Sequence, residues 1–238
     1  LGGNWDIRPE GGKYVGREMF ARRWSHPLPP LAIFMASDYA VSEPIDGRAP
    51  DYTEHGVFGV SPDDDIYVLD WWSGQTRSDV WIESFIDKVA RWKPQCAFGE
   101  GGMIQKSIEP FLTKRMRERR VYARVEWLST ATGQRAQGSS KQGYADASKR
   151  AKAIRGRAFQ ARAAMGKIVF PANADWCDRV IEQCAGFPNG RDDAFDVMSH
   201  MCLAIDQAHP ATALQPPKEA KRHDYNIKRS AGEKWRVV

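Results

Sequence analysis

The chain has 238 residues, 42% of them hydrophobic, and a formal net charge of +5. That is enough to bury a substantial core, and no apolar run approaches the roughly 18 residues of a helical membrane span. The four cysteines form no C-x-x-C pair, which argues against a zinc ribbon or disulfide framework and for a reducing interior. Charge is unevenly spread: residues 101–170 hold 16 Lys and Arg against 4 Asp and Glu, leaving an acidic remainder. A polyanion-binding surface beside a cation site would look like this, and so would a solvated helix face.

The opening "LGGNWDIRPEGGKYVG" has no signal-peptide pattern and no initiator Met, so it reads as the start of a fragment of something longer. Residues 1–30, ending in "HPLPP", have little periodicity and read as a linker or ordered arm. "LAIFMASD" (31–38) is an apolar run of strand length that ends on Asp38. "TEHGVFGV" (53–60) and "DIYVLDWW" (65–72), joined by the turn-forming "SPDD", predict a hairpin that extends the first strand into a three-stranded meander. A helix over 78–92 follows, with Ser78 or Asp79 as cap and Trp81, Phe85, Val89 and Trp92 on one core stripe.

"QCAFGEGG" (95–102) predicts a short strand that carries Glu100 into glycines. Helical spacing returns from 103 to about 120 through Ile104, Ile108, Phe111, Leu112 and Met116, and "VYARVEWL" (121–128) is strand-like by composition. "STATGQRAQGSSKQGYA" (129–145) reads as a mobile loop. A basic helix, "ASKRAKAIRGRAFQARAAMG", then leads to the short strand "KIVFP" and an amphipathic helix through Trp176, Val180, Ile181 and Cys184. Residues 208–238 are Pro-rich, polar and basic, and read as a flexible tail.

"FPNGRDDAFDVMSH" (187–200) sets three aspartates around the first turn of an otherwise apolar helix. Acids there favour the helix dipole with no further role. Asp192, Asp193 and Asp196 also stand at spacings that share one face and could hold a divalent cation. With Asp38 and Glu100 at strand ends, three points of the chain can converge on one rim: Asp38, Glu100 and Asp193 with a neighbour. Such a set could hold two Mg2+ or Mn2+ ions for in-line phosphodiester cleavage. No Walker A loop is present, because Gly12-Lys13 and Gly166-Lys167 lack its earlier glycine and following Ser or Thr.

The ordered blocks "ASKRAKAI…AAMGKIVFP…ADWCDRVIEQCAGFPNGRDDAFDVMSHM" and "GNWDIRPEGGKYVGREMF" resemble the C-terminal nuclease domain of tailed-phage terminase large subunits, within the RNase H-like superfamily, and the linker that precedes it. The resemblance runs to about residue 206. It implies an α/β fold with a mixed five-stranded sheet flanked by helices on both faces. It divides the chain into an arm from an ATPase domain (1–30), the nuclease domain (31–207) and the tail (208–238). The implied activity is Mg2+- or Mn2+-dependent cutting of concatemeric double-stranded viral DNA during packaging, in the cytoplasm of an infected bacterium. Asp38, Glu100 and Asp193 match the family's acids, with Asp192 and Asp196 in the same signature. The implied partners are DNA, an ATPase motor domain, portal and small terminase subunit, with the fragment alone a monomer. Lys149, Arg150, Lys152, Arg155 and Arg157 are the candidates for phosphate contacts. Two departures stand out: Arg191 replaces a common His, and Val197 follows the last Asp in place of Ala. The alternatives are a resolvase-like nuclease on the same fold and a non-catalytic DNA-gripping or portal-docking module.

Overall fold

The structure, a computed structural model, describes residues 14–40, 52–128 and 151–207. Its strands are β1 (Arg23–Trp24), β2 (Ala32–Asp38), β3 (Thr53–Val60), β4 (Ile66–Gly74), β5 (Cys96–Glu100), β6 (Val125–Leu128) and β7 (Ile168–Pro171). Its helices are α1 (Ser78–Trp92), α2 (Met103–Arg119), α3 (Arg157–Ala164), α4 (Cys177–Gly186) and α5 (Asp193–Gln207), with a 3-10 turn over Arg17–Phe20. Residues 151–155 are also helical and meet α3 at Gly156.

All seven strands join one mixed sheet, in the order β1-β7-β4-β3-β2-β5-β6. The meander expected from the sequence is present, since β2 to β4 pair antiparallel in chain order. β5 and β6 then add in parallel on the β2 side. The five strands from β4 to β6 are the expected five-stranded sheet; β7 and β1 extend it beyond β4, both parallel. β1 arises from the stretch read as an arm. Phe20 beside it is buried against Phe170 (5.5 Å between ring centroids) and Phe159 (6.0 Å), so residues 14–24 pack onto the same body.

Alternation along the strands builds two cores, one on each side of the sheet. The first side carries Phe34, Ala36, Phe58, Trp71 and Phe98, covered by α3, α4 and α5. The second carries Met35, Val57, Leu69 and Ala97, covered by α1 and α2. A bulge in β4, where Val57 opposes Asp70 but Phe58 opposes Val68, switches the parity and turns Trp71 to the first side.

One local expectation fails. α1 begins after Arg77 with no side-chain cap; Asp79 instead accepts from the Arg77 guanidinium at 3.1 and 3.2 Å. In α2, Ile108, Leu112 and Met116 are buried at four-residue spacing, whereas Phe111, counted in the same helical spacing, is 66% exposed. The helix rests on the sheet by a narrow stripe, and Phe111 lies a quarter turn outside it. The loop expected over 129–145 and the tail beyond 207 lie outside the described residues.

Candidate active site

β2 and β5 run parallel with Ala36 beside Phe98. Two residues further on, each strand ends, on Asp38 and on Glu100. A period of two keeps both carboxylates on the first face of the sheet, side by side. Past Glu100 the chain exits through Gly102, whose φ of 102° is open to glycine at little cost. α5 crosses the same face over β2, β3 and β5. Its first turn brings Asp193 and Asp196, 8% and 6% exposed, to the strand ends. That turn is held by the Asp196 amide donating to the Asp192 carbonyl at 2.9 Å and the Ala194 amide donating to Gln183 Oε1 at 3.0 Å.

The result is a crowded group of acids. Burial raises the Asp38 carboxyl well above the ordinary range, and Asp196, Glu100 and Asp193 push the same way, with Lys152 opposing them. Asp196 is also raised by burial, against the pull of Lys152. The Lys152 ammonium donates to Asp192 Oδ2 at 2.8 Å and Asp196 Oδ2 at 2.5 Å. Burial works against its charge, but those two carboxylates outweigh it and hold the lysine above its ordinary value.

As placed, no three Asp, Glu, His or Cys side chains among the described residues are grouped tightly enough to enclose a metal ion. The donor set nevertheless fits one. It is made of hard carboxylate oxygens, and burial with mutual repulsion makes their charge costly unless a cation relieves it. Among the described residues, Lys152 supplies part of that relief.

Of the residues chosen from sequence, Asp38, Glu100, Asp192, Asp193 and Asp196 therefore share one locality. Lys152, a candidate phosphate contact, sits among these acids. Arg155 lies close enough to influence the buried His200 ring, and Arg157 is exposed at the start of α3 near Tyr14. Lys149 and Arg150 lie outside the described residues.

Three nearby groups went unnoticed in the sequence or were given no contact there. Arg191 stacks its guanidinium over the Tyr52 ring, 3.8 Å from the centroid, and lies 3.6 Å from Asp193. This holds a half-exposed cation at the rim. Glu54, directly opposite Asp38 in the β2–β3 pairing, is fully buried. It accepts from Trp71 Nε1 (2.5 Å), Ser73 Oγ (2.9 Å) and Arg179 Nη1 (2.7 Å), so it anchors α4 to the sheet. His200 lies one turn after Asp196 on α5 and was legible as the next residue on that stripe.

No protein-family model matches the chain, and no curated protein matches it. Solved structures do match. The nuclease domain of the large terminase subunit of bacterial virus Sf6 aligns with a TM-score of 0.53 at 12% identity, covering 83% of this chain and 99% of that one. The large terminase nuclease from thermophilic phage G20c gives 0.51 at 10% identity, covering 79% and 95%. The HK97 bacteriophage large terminase gives 0.50 at 10% identity; 80% of this chain aligns with 43% of that longer one. At such identities the likeness is one of fold. The chain has the mixed α/β, RNase H-like fold found in phage large-terminase nuclease domains.

Proposed function

We propose that this domain is a divalent-cation-dependent endonuclease that hydrolyses double-stranded DNA, cutting concatemeric viral DNA during genome packaging. The observation that carries the reading is the meeting of Asp38, Glu100, Asp193 and Asp196 from two parallel strand ends and one helix start. The fold supports it, as does the fact that a K428A mutant of the Sf6 large terminase subunit has been solved with manganese, as its nuclease domain, and with calcium.

Asp38, Glu100 and Asp193 would hold Mg2+ or Mn2+, as two ions, with Asp192 and Asp196 beside them. Bound ions of this kind lower the pKa of a water and neutralise the leaving 3′ oxygen. The protein's own side chains set the stage for that chemistry. Lys152 trims the negative charge of the acid group and so sets how strongly it draws a cation. Arg191, braced on Tyr52, offers a planar donor to a phosphate entering at the rim. Arg155 and Arg157, with Lys149 and Arg150, grip backbone phosphates, which positions a duplex without reading its sequence. Low sequence specificity follows. In this role the partners are an ATPase motor domain, portal and small terminase subunit.

The test is supercoiled plasmid incubated with the chain and Mg2+, Mn2+ or EDTA. Nicking and linearisation should require the metal. They should fall by about 100-fold or more in folded Asp38→Ala, Glu100→Ala and Asp193→Ala, as expected when a group stabilising transition-state charge is lost. A folded wild type that binds DNA but cuts with neither metal would favour the non-catalytic gripping module instead.

A further inference from the structure

Beneath the carboxylates lies a ring that the acid chemistry does not use. His200 is 2% exposed and occupies the inward stripe of α5, one turn past Asp196 and two past Asp193. Neither Nδ1 nor Nε2 makes a hydrogen bond of good geometry. The Asp196 and Glu100 carboxylates favour the charged ring and the Arg155 guanidinium opposes it; the Ser37 carbonyl faces the ring too, but outside hydrogen-bond geometry. Leaving a buried polar group unpaired costs about 1–3 kcal/mol, so an unpaired ring at this depth asks for a reason. Packing alone does not supply one. Val197, Met198 and Met201 fill the neighbouring buried positions with apolar side chains, and an apolar side chain at 200 would carry no such cost.

Carboxylates that bind a cation are themselves oriented by donors behind them. Asp196 already has Lys152 of the basic helix as its donor, and Glu100, at the end of β5, is the other carboxylate that acts on the ring. Resting on the cation-dependent reading above, we propose that His200 is a positioning residue of the site. With a divalent cation held by the acids, its ring N–H donates to Glu100, tying the end of β5 to α5 and fixing the orientation of that carboxylate. His200 touches neither substrate nor cation; it acts through Glu100.

Two measurements on the 238-residue chain decide this. In wild type labelled with 15N at histidine, saturating Mg2+ should move the His200 ring resonances while those of His26 and His55 stay in place. In a Mn2+ titration followed by calorimetry, His200→Phe should melt cooperatively, at or above the wild-type temperature without metal, yet bind Mn2+ at least about tenfold more weakly. His200→Gln, which restores a donor, should recover part of the affinity. Unmoved His200 resonances in a wild type that binds Mg2+ would overturn the assignment, as would a folded His200→Phe with wild-type Mn2+ affinity. Either result would leave the cation reading standing. A wild type that takes up no divalent cation would sink that reading, and the role of His200 with it.

Discussion

His55 lies on the second face of the sheet, fully buried among Trp72, Trp81, Phe85 and Tyr39. A carbonyl can only accept, so Nε2–H donates to the Trp81 oxygen at 3.0 Å, and Nδ1 accepts from Ser37 Oγ at 2.8 Å. Burial lowers its pKa from 6.5 to about 3, with the Trp81 carbonyl opposing the shift and Lys88 adding to it. Unfolding returns the ring to its ordinary pKa. Between pH 6.5 and 3 the unfolded chain therefore binds the extra proton, and this residue's share of stability declines as pH falls. The slope approaches about 1.4 kcal/mol per pH unit. Urea unfolding of wild type and His55→Gln between pH 7 and 4 should show a steeper decline for wild type. Equal slopes would mean that His55 protonates in place. Residue-scale chemistry of this kind was not legible in the sequence: "TEHGVFGV" gives the strand, but which partners close around its histidine depends on α1 and β2.

At the scale of elements, the break between the basic helix and α3 fixes where Lys152 lies. A Cβ on Gly156 would come within 2.3 Å of Phe195 Cζ and 3.2 Å of Ser199 Oγ. Phe195 has nowhere to retreat, because it is fully buried and stacked on Phe187 at 4.0 Å between centroids. Gly156→Ala should cost about 1–3 kcal/mol in urea unfolding, as overpacking does. It should also weaken the hold of Lys152 on Asp192 and Asp196 by lifting the basic helix off α5. An unchanged urea midpoint would show that the contact is slack. Elements with a clear period were readable beforehand, as the meander, α1, α5 and the strand-end placement of Asp38 and Glu100 demonstrate. β1 was not, because two residues without alternation become a strand only by pairing with β7. The contacts of Lys152 were equally hidden, since its partners lie 40 and 44 residues away and a basic helix looks the same whether it faces phosphate or carboxylate. Phe111 misled because a helical window counts apolar residues without knowing how wide the buried stripe will be.

For the molecule as a whole, the excess of positive charge in 101–170 is partly spent internally. Arg115 and Arg119 tie α2 to Glu83 and Asp87 of α1, Arg162 joins Asp64 to Asp206, and Lys167 pairs with Asp65. Among the described residues, Lys106, Arg117, Arg120, Arg155 and Arg157 make no ion pair, so the surface free to meet a polyanion is smaller than the composition suggests. Arg155 acts on the buried His200 ring of α5. In the proposed function, two strand ends and one helix start form a single cation-binding centre. Anomalous diffraction from crystals grown with Mn2+ would locate such a centre. Mn2+ peaks ligated by Asp38, Glu100 and Asp193, with Lys152 displaced from Asp196, are expected; peaks confined to other residues, in a protein that still cleaves plasmid with Mn2+, would rule this centre out.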